Sequence, residues 1–387
     1  MPSKVHFISA SRSDYFIDSC SVVYSNVDQF PNKKNESIST LDELKPHIVC
    51  LTEILPKRKK DRPDDQSIHD DIKNEYYIPG YEIFSNDNPK RGVAIYTKPQ
   101  LNAVKYLPLC NSDFDESLWI NFTSKTNENI LLGCIYHSPN SSKDNTDKLF
   151  ELLQRKELSK FDKICIAGDF NYPDKRWNGS WTNEDDNKFL ETLRDAYLFQ
   201  MVTQPTRRKE KQRANILDLV LVNDEQLISD ISHLSPFGKS DHDTLYFDLY
   251  VSIGENKSTG ENSQVSKFNL KKANFDAMRN EFANTDWTLL NNEEADKCWQ
   301  KIKEKIHQSM EAHIPKMTIK TTQKFRPTWF TAEIRANIRK KNKLYRKYLV
   351  TKRATDYQAY KSLRNWCTKQ LKKAKKLMKK YLKKLEA

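Results

Sequence analysis

The stretch Lys163-Ile164-Cys165-Ile166-Ala167-Gly168-Asp169-Phe170-Asn171 decides how this chain is read. A short apolar run enters a glycine, and an aspartate and an asparagine follow two positions apart. An apolar run closed by turn residues predicts a buried strand over Lys163 to Ala167. Side chains alternate along an extended chain, so Asp169 and Asn171 fall on the same side. An aspartate there supplies a base or a metal ligand. An asparagine orients a water or a phosphate oxygen. The tetrapeptide by itself is equally compatible with a Gly-Asp turn.

Outward from this stretch the pattern repeats. Short β-rich runs occur at Ser21–Tyr24, His47–Leu51, Val93–Tyr96, Leu118–Phe122, Ile130–Tyr136, Ile216–Val222 and Thr244–Val251, each flanked by Pro, Asn, Asp or Gly. Helical spacing appears between them at Ser37–Leu44, Asp147–Leu158 and Glu184–Tyr197. Strands mixed with helices predict an α+β fold: a four-layer α/β sandwich, two packed mixed sheets flanked by helices.

Three more strand ends carry polar groups. Glu53 closes the run Ile48–Thr52; taken alone it is more often a solvated residue than a ligand. Asp218 stands inside the apolar run Ile216–Val222. An unpaired carboxylate there costs several kcal/mol, so it needs a partner. His242 is a candidate, because a carboxylate on the far imidazole nitrogen fixes the tautomer. Backbone amides are the alternative. Ser240-Asp241-His242 precedes the run from Thr244. There an acid beside an imidazole suits phosphate chemistry, and a surface loop is the bland alternative.

The C-terminal third differs. Gly254–Ser266 is rich in Gly, Ser, Asn and Lys and reads as a linker. Helices are predicted at Leu270–Phe282, Glu294–Ala312, Thr331–Val350 and Thr355–Leu385, so the region after the sandwich is expected to be basic and all-helical. The divisions follow: 1–252 for the sandwich, 253–267 for the linker, 268–387 for the helical arm. The chain of 387 residues carries +13 overall. Residues 1–260 hold 33 Lys+Arg against 40 Asp+Glu, a balance of −7, whereas 261–387 hold 32 against 12, a balance of +20. A polyanionic partner is thus expected at the arm. Eight lysines crowd 371–387, among them Lys372, Lys373, Lys376 and Lys380. Tyr345, Tyr348 and Leu349 sit at helical spacing and fit core between helices better than stacking platforms.

Seven cysteines, an odd number with several inside apolar runs, predict buried small hydrophobes and not disulfides or a zinc site. No run approaches the roughly 18 apolar residues of a membrane span. The N-terminus lacks the order of a secretory signal. The nucleus or cytoplasm is expected.

Together, SNVDQF, LTEI, IYHSPN, GDFN, QPTRRKEKQRANILDLVLVN and SDHDTLYFDL resemble the endonuclease/exonuclease/phosphatase family across residues 22–249. Gln204-Pro205-Thr206-Arg207 leading into Ile216-Leu217-Asp218 narrows the resemblance to the apurinic-like endonuclease of jockey-type, LINE-like non-LTR retrotransposons. Pro327-Thr328-Trp329-Phe330 is similar to the start of their segment before the reverse transcriptase. No Tyr-x-Asp-Asp string is present, so a form truncated before the polymerase, even a relic, is the expectation.

The resemblance implies a Mg²⁺-dependent endonuclease, with Mn²⁺ as a substitute, that nicks DNA to leave a 3′-hydroxyl. Glu53 would be the main metal ligand, with Asn26 and Asp241. Asp169 would position or deprotonate water, and Asn171 would orient the phosphate. His242, held by Asp218, would stabilise charge on the phosphate, with Tyr136 hydrogen-bonded to it. Arg91 and His137 would contact nucleic acid. His137 stands where these enzymes more often have Arg, and one glycine follows Arg91 where two are common. The arm's lysines would contact DNA, with RNA a second candidate. A repair-type apurinic endonuclease, a phosphoesterase and a nuclease-dead binder are the competing functions.

Overall fold

The computed structural model describes residues 19–56, 76–86, 91–172, 184–209, 212–253, 264–268, 272–288, 295–320 and 330–385. Two six-stranded mixed sheets form the main unit. The first sheet runs β11 (Ser232–Leu234), β12 (Thr244–Leu249), β1 (Cys20–Asn26), β2 (Ile48–Thr52), β4 (Val93–Thr97), β3 (Glu82–Ser85). The second runs β5 (Val104–Lys105), β6 (Ser117–Thr123), β7 (Asn129–Tyr136), β8 (Lys163–Asp169), β10 (Asp218–Val222), β9 (Phe199–Gln200). Each has one parallel pair, β1 with β2 and β7 with β8, and antiparallel neighbours elsewhere.

Strand alternation explains the layers. Val22, Tyr24, Ile48, Cys50 and Ile95 from the first sheet share one buried cluster with Leu132, Cys134, Cys165, Ala167 and Val220 from the second. The intervening residues face outward. Leu131, Ile164, Ile166, Leu219 and Leu221 pack with Leu149, Phe150, Leu153, Phe189 and Leu193 of the helices Lys143–Leu153 and Glu184–Asp195. Val23, Val49, Leu51, Ala94 and Tyr96 pack with Phe30 and with Leu41 of the helix Lys34–Leu44. Each fully buried aliphatic side chain contributes about 1.5–3 kcal/mol, so strand order and helix placement follow from the same apolar pattern.

The strands β7 and β8 approach closely at Gly168. A Cβ there would lie 2.3 Å from the Ile135 carbonyl oxygen, so only glycine fits. All seven cysteines are free, and Cys20, Cys50, Cys134, Cys165 and Cys367 are buried.

Contacts divide the chain into two compact units, Met1–Glu255 with Pro327–Ala387, and Asn256–Arg326. Within the first unit the helices Ala332–Thr351 and Ala354–Leu385 form a hairpin seated on the sandwich. Lys341 and Glu36, both buried, form an ion pair at 2.5 Å, and Lys341 also donates to the Pro236 carbonyl at 3.3 Å. The second unit contains the helices Phe275–Ala283 and Ala295–His313, joined by Lys305 and His313 to Glu281 at 2.7 and 3.0 Å. It also contains a ladder the sequence did not announce, β13 (Gln264–Phe268) with β14 (Lys316–Lys320). Polar, Ser- and Lys-bearing residues hid β13 inside the expected linker, and β14 followed a run read as helical. The rest of that linker, 254–263, lies outside the described residues.

Candidate active site

The site grows out of strand register. Asn26, Tyr136, Asp169 and Asp218 continue the inward parity of Tyr24, Cys134, Ala167 and Val220, one step past the apolar core. Tyr136 pairs with Asp169 across β7 and β8, and Asp169 with Asp218 across β8 and β10. On the facing sheet Asn26 pairs with Thr52. Glu53 follows with a φ of 53°, which turns the chain out of β2.

Hydrogen bonds then bridge the sheets. The Asn26 amide donates to Glu53 at 3.0 Å and to Asp169 at 2.8 Å. Tyr24 donates to Asp218 Oδ1 at 2.9 Å, and His242 Nδ1 donates to Asp218 Oδ2 at 2.8 Å. The Asn171 amide N–H donates to Asp169 Oδ1 at 3.3 Å, and its side chain donates to the His137 carbonyl at 2.8 Å. One ligand atom from each of Asp169, Asp218 and His242 fits within a 4.8 Å spread. Glu53, Asn171 and Asp241 are partly exposed, so the cluster opens to solvent on that side.

Burial and charge separate the roles of these groups. Burial is the main force lifting the Asp169 carboxyl, to about 8, with Asp218 and Glu53 adding repulsion. Burial opposes charge on His242, but Asp218 and Asp169 more than offset it and hold the imidazolium up to about 10. Asp241 moves down: its desolvation is outweighed by His242 and by Arg207, whose Nε donates to Asp241 Oδ2 at 2.9 Å. Burial, with Glu53 and Asp169 nearby, raises the Tyr136 phenol well above its ordinary range, so it stays a donor.

A divalent cation needs hard oxygen ligands converging on one point. Glu53 and Asp28 do converge, because both carboxylates bind the same Arg91 nitrogen, Nη2, which is 2.8 Å from Asp28 Oδ1. The guanidinium supplies one positive charge where two acids face it, and the donor set fits a metal. Asp218 has both oxygens engaged by Tyr24 and His242, so it is better described as the partner that holds the imidazole than as a metal ligand. Sequence reasoning missed Asp28. Its signal was present, two residues after Asn26 within SNVDQF, where a φ of 36° turns the chain back towards Glu53.

Arg91 therefore lies at the cluster. His137 is buried and turned to other partners: its Nδ1 donates to the Phe170 carbonyl at 3.0 Å, its Nε2 lies 3.0 Å from the Thr146 hydroxyl, and its ring stacks on Tyr172. Burial lowers its pKa, which favours the neutral ring. Lys372, Lys373 and Lys376 are exposed on the last helix, which also carries Lys380, and stand away from the strand ends in sequence and element.

Two facing mixed sheets flanked by helices define an α/β sandwich, with acids, amides and an imidazole gathered at its strand ends. Residues 130–246 match the family model described as endonuclease-reverse transcriptase. Similar solved structures include the endonuclease domain of TRAS1, a telomere-specific non-LTR retrotransposon, at 17% identity over 60% of this chain and 98% of that one, TM-score 0.46. An AP endonuclease from Leishmania major is 15% identical over 63% of this chain and 92% of that one, TM-score 0.48. A 3′-5′ exonuclease from Neisseria meningitidis is 17% identical over 59% and 99%, TM-score 0.42. No curated protein matches the chain. Among the described residues no helix is long and apolar enough to cross a membrane.

Proposed function

We propose that this chain is a Mg²⁺-dependent endonuclease that hydrolyses a DNA phosphodiester and leaves a 3′-hydroxyl. The observation that carries the reading is the convergence of Asn26, Glu53, Asp169, Asp218 and His242, from the ends of five strands, into one polar cluster. Glu53, with Asp28 and Asn26 beside it, would hold the cation, and Asp241 would complete the acidic surroundings. A bound divalent ion supplies Lewis acidity at a phosphate oxygen and lowers the pKa of water.

The chain's own groups do the rest. Asp169 takes a proton from the attacking water; its raised pKa suits a base working near neutral pH. Asn171 orients the phosphate. His242 presents its Nε2–H to the oxygen on which charge builds, with Asp218 fixing the tautomer from Nδ1. Tyr136 adds a second donor. The lysines of the last helix contact the nucleic-acid backbone, DNA or RNA, without reading sequence.

The purified full chain with Mg²⁺ is expected to convert supercoiled plasmid to open circle, and EDTA to stop it. Asp169→Asn and His242→Ala each remove a base or a preorganised donor, so each should lower the rate by about 10²–10⁴-fold. Nicking that survives both substitutions would remove this site assignment.

A further inference from the structure

Beyond the acids and imidazole of the site, one buried carboxylate links the catalytic loop to the C-terminal hairpin. Asp243 follows His242 directly and is fully buried. Its Oδ1 accepts from the Tyr345 hydroxyl. Its Oδ2 accepts from Arg208 Nη1 and from His233 Nδ1, the latter at 2.9 Å. The backbone repeats the connection: Asp243 N–H donates to the Thr206 carbonyl at 2.7 Å, and Arg208 N–H donates to the Asp241 carbonyl at 2.8 Å. Thr206 in turn accepts through its hydroxyl from the N–H groups of Leu217 and Asp218 at 3.1 and 3.0 Å. The segments that carry Asp218, Asp241 and His242 thus share one network.

Tyr345 closes that network from outside the two sheets. It belongs to the helix Ala332–Thr351, lies 102 residues from Asp243 in the chain, and is buried against Tyr360 with ring centroids 4.7 Å apart. A carboxylate buried without donors is costly, so Asp243 holds wherever its donors hold it. Lys341, one helical turn before Tyr345 on the same helix, anchors that helix to Glu36 and Pro236. The donor therefore comes from a fixed element and not from a loop.

We infer that Tyr345 is a positioning residue for hydrolysis: from the helical hairpin it holds Asp243, and with it the 206–208 and 241–243 segments, so that Asp241 and His242 are presented to the phosphate. The inference rests on the endonuclease reading above. A small misplacement of a reacting group can cost about 10²-fold in rate, and a network with two remaining donors on Asp243 should lose less.

The test uses the full chain and Tyr345→Phe, which keeps the ring and removes the hydroxyl. Plasmid nicking should show kcat reduced about tenfold, near 1.4 kcal/mol of barrier, with KM for DNA unchanged. Amide hydrogen exchange should rise in peptides covering 206–208 and 240–243 and stay as in the wild type across β7 and β8. Asp243→Asn and the double variant complete a cycle in which the double variant is no slower than the slower single one. Wild-type kcat with unchanged exchange would overturn the inference. So would additive losses, or a loss of protection spread evenly over the sandwich, which would make Tyr345 a packing residue. A wild-type chain that cuts no DNA would defeat the endonuclease reading instead, and the exchange pattern would still decide the positioning role.

Discussion

At the residue scale the site is a set of groups whose ionisation states are set by one another. Asp169 is nearly inaccessible to water and faces Asp218 and Glu53, so its pKa rises towards neutrality, where it can still exchange a proton. His242 keeps its proton because Asp218 and Asp169 surround it. Both folded-state pKa values are raised above their unfolded ones, from 3.8 to about 8 and from 6.5 to about 10. A raised value means that the folded state binds the proton more strongly. The stability this lends is complete below the unfolded pKa and is lost as pH climbs through the folded one. Metal-free protein in EDTA should therefore melt at progressively lower temperature between about pH 6 and pH 9. Asp169→Asn should flatten that fall, because its part of the linkage is gone; a slope equal to the wild type's would contradict the assigned Asp169 environment. Much of this constellation was legible in the sequence, because Asp169, Asp218 and His242 each interrupt or adjoin an apolar run, and a polar group there demands a partner. Two features were not. Asp28 lies off the strand in a turn, where periodicity says nothing. His137 was expected at the substrate because it stands where the resembling enzymes more often have Arg, and neither its Phe170 nor its Thr146 partner can be inferred from spacing.

At the scale of elements, strands deliver the site and a helix pair braces it. The long strands β1, β2, β4, β6, β7, β8, β10 and β12 correspond to the β-branched runs in the sequence, and burial on both faces makes β2, β4 and β10 nearly continuous in apolar residues. The edge strands β3, β5, β9 and β11 are short and partly exposed, and their composition carries no such signal. The seating of the helix Ala332–Thr351 was illegible for a different reason. Lys341 and Glu36 lie 305 residues apart, and each reads as an ordinary charged residue on its own helix. In the fold both are buried, and the pair also uses the Pro236 carbonyl. A buried charge left alone is strongly unfavourable, so Glu36→Gln or Lys341→Met alone should destabilise the chain by about 3–5 kcal/mol in urea unfolding. Replacing both, Glu36→Leu with Lys341→Met, should recover most of that loss, since an apolar pair of similar volume has no stranded charge. Single variants within a few tenths of a kcal/mol of wild type would mean that this helix is not seated through that pair.

At the scale of the whole molecule the charge distribution poses a problem that the fold answers. Residues 1–260 carry a balance of −7, from 33 basic against 40 acidic side chains, and they contain the acids that, on the endonuclease reading, face a polyanion. Residues 261–387 carry +20, from 32 against 12. The lysine-bearing helix Ala354–Leu385 belongs to the same compact unit as the acidic sandwich. Lys372, Lys373 and Lys376 are exposed there and free of the tyrosine packing that fixes the start of that helix at Tyr357 and Tyr360. If these lysines meet phosphates, each contact releases counterions, and the logarithm of the binding constant falls with the logarithm of salt by about 0.9 per contact. Replacing Lys372, Lys373, Lys376 and Lys380 together by Gln should weaken duplex binding at low salt and make the salt slope shallower by about 0.9 for every lysine that touched a phosphate. Fluorescence polarisation of a labelled duplex, titrated between about 50 and 200 mM NaCl, reads both quantities. A slope identical to the wild type's would reduce the lysines to a solvated face, and the attraction that overcomes the acidic site would have to come from cations nearer the strand ends, Arg91 and Arg207 first among them.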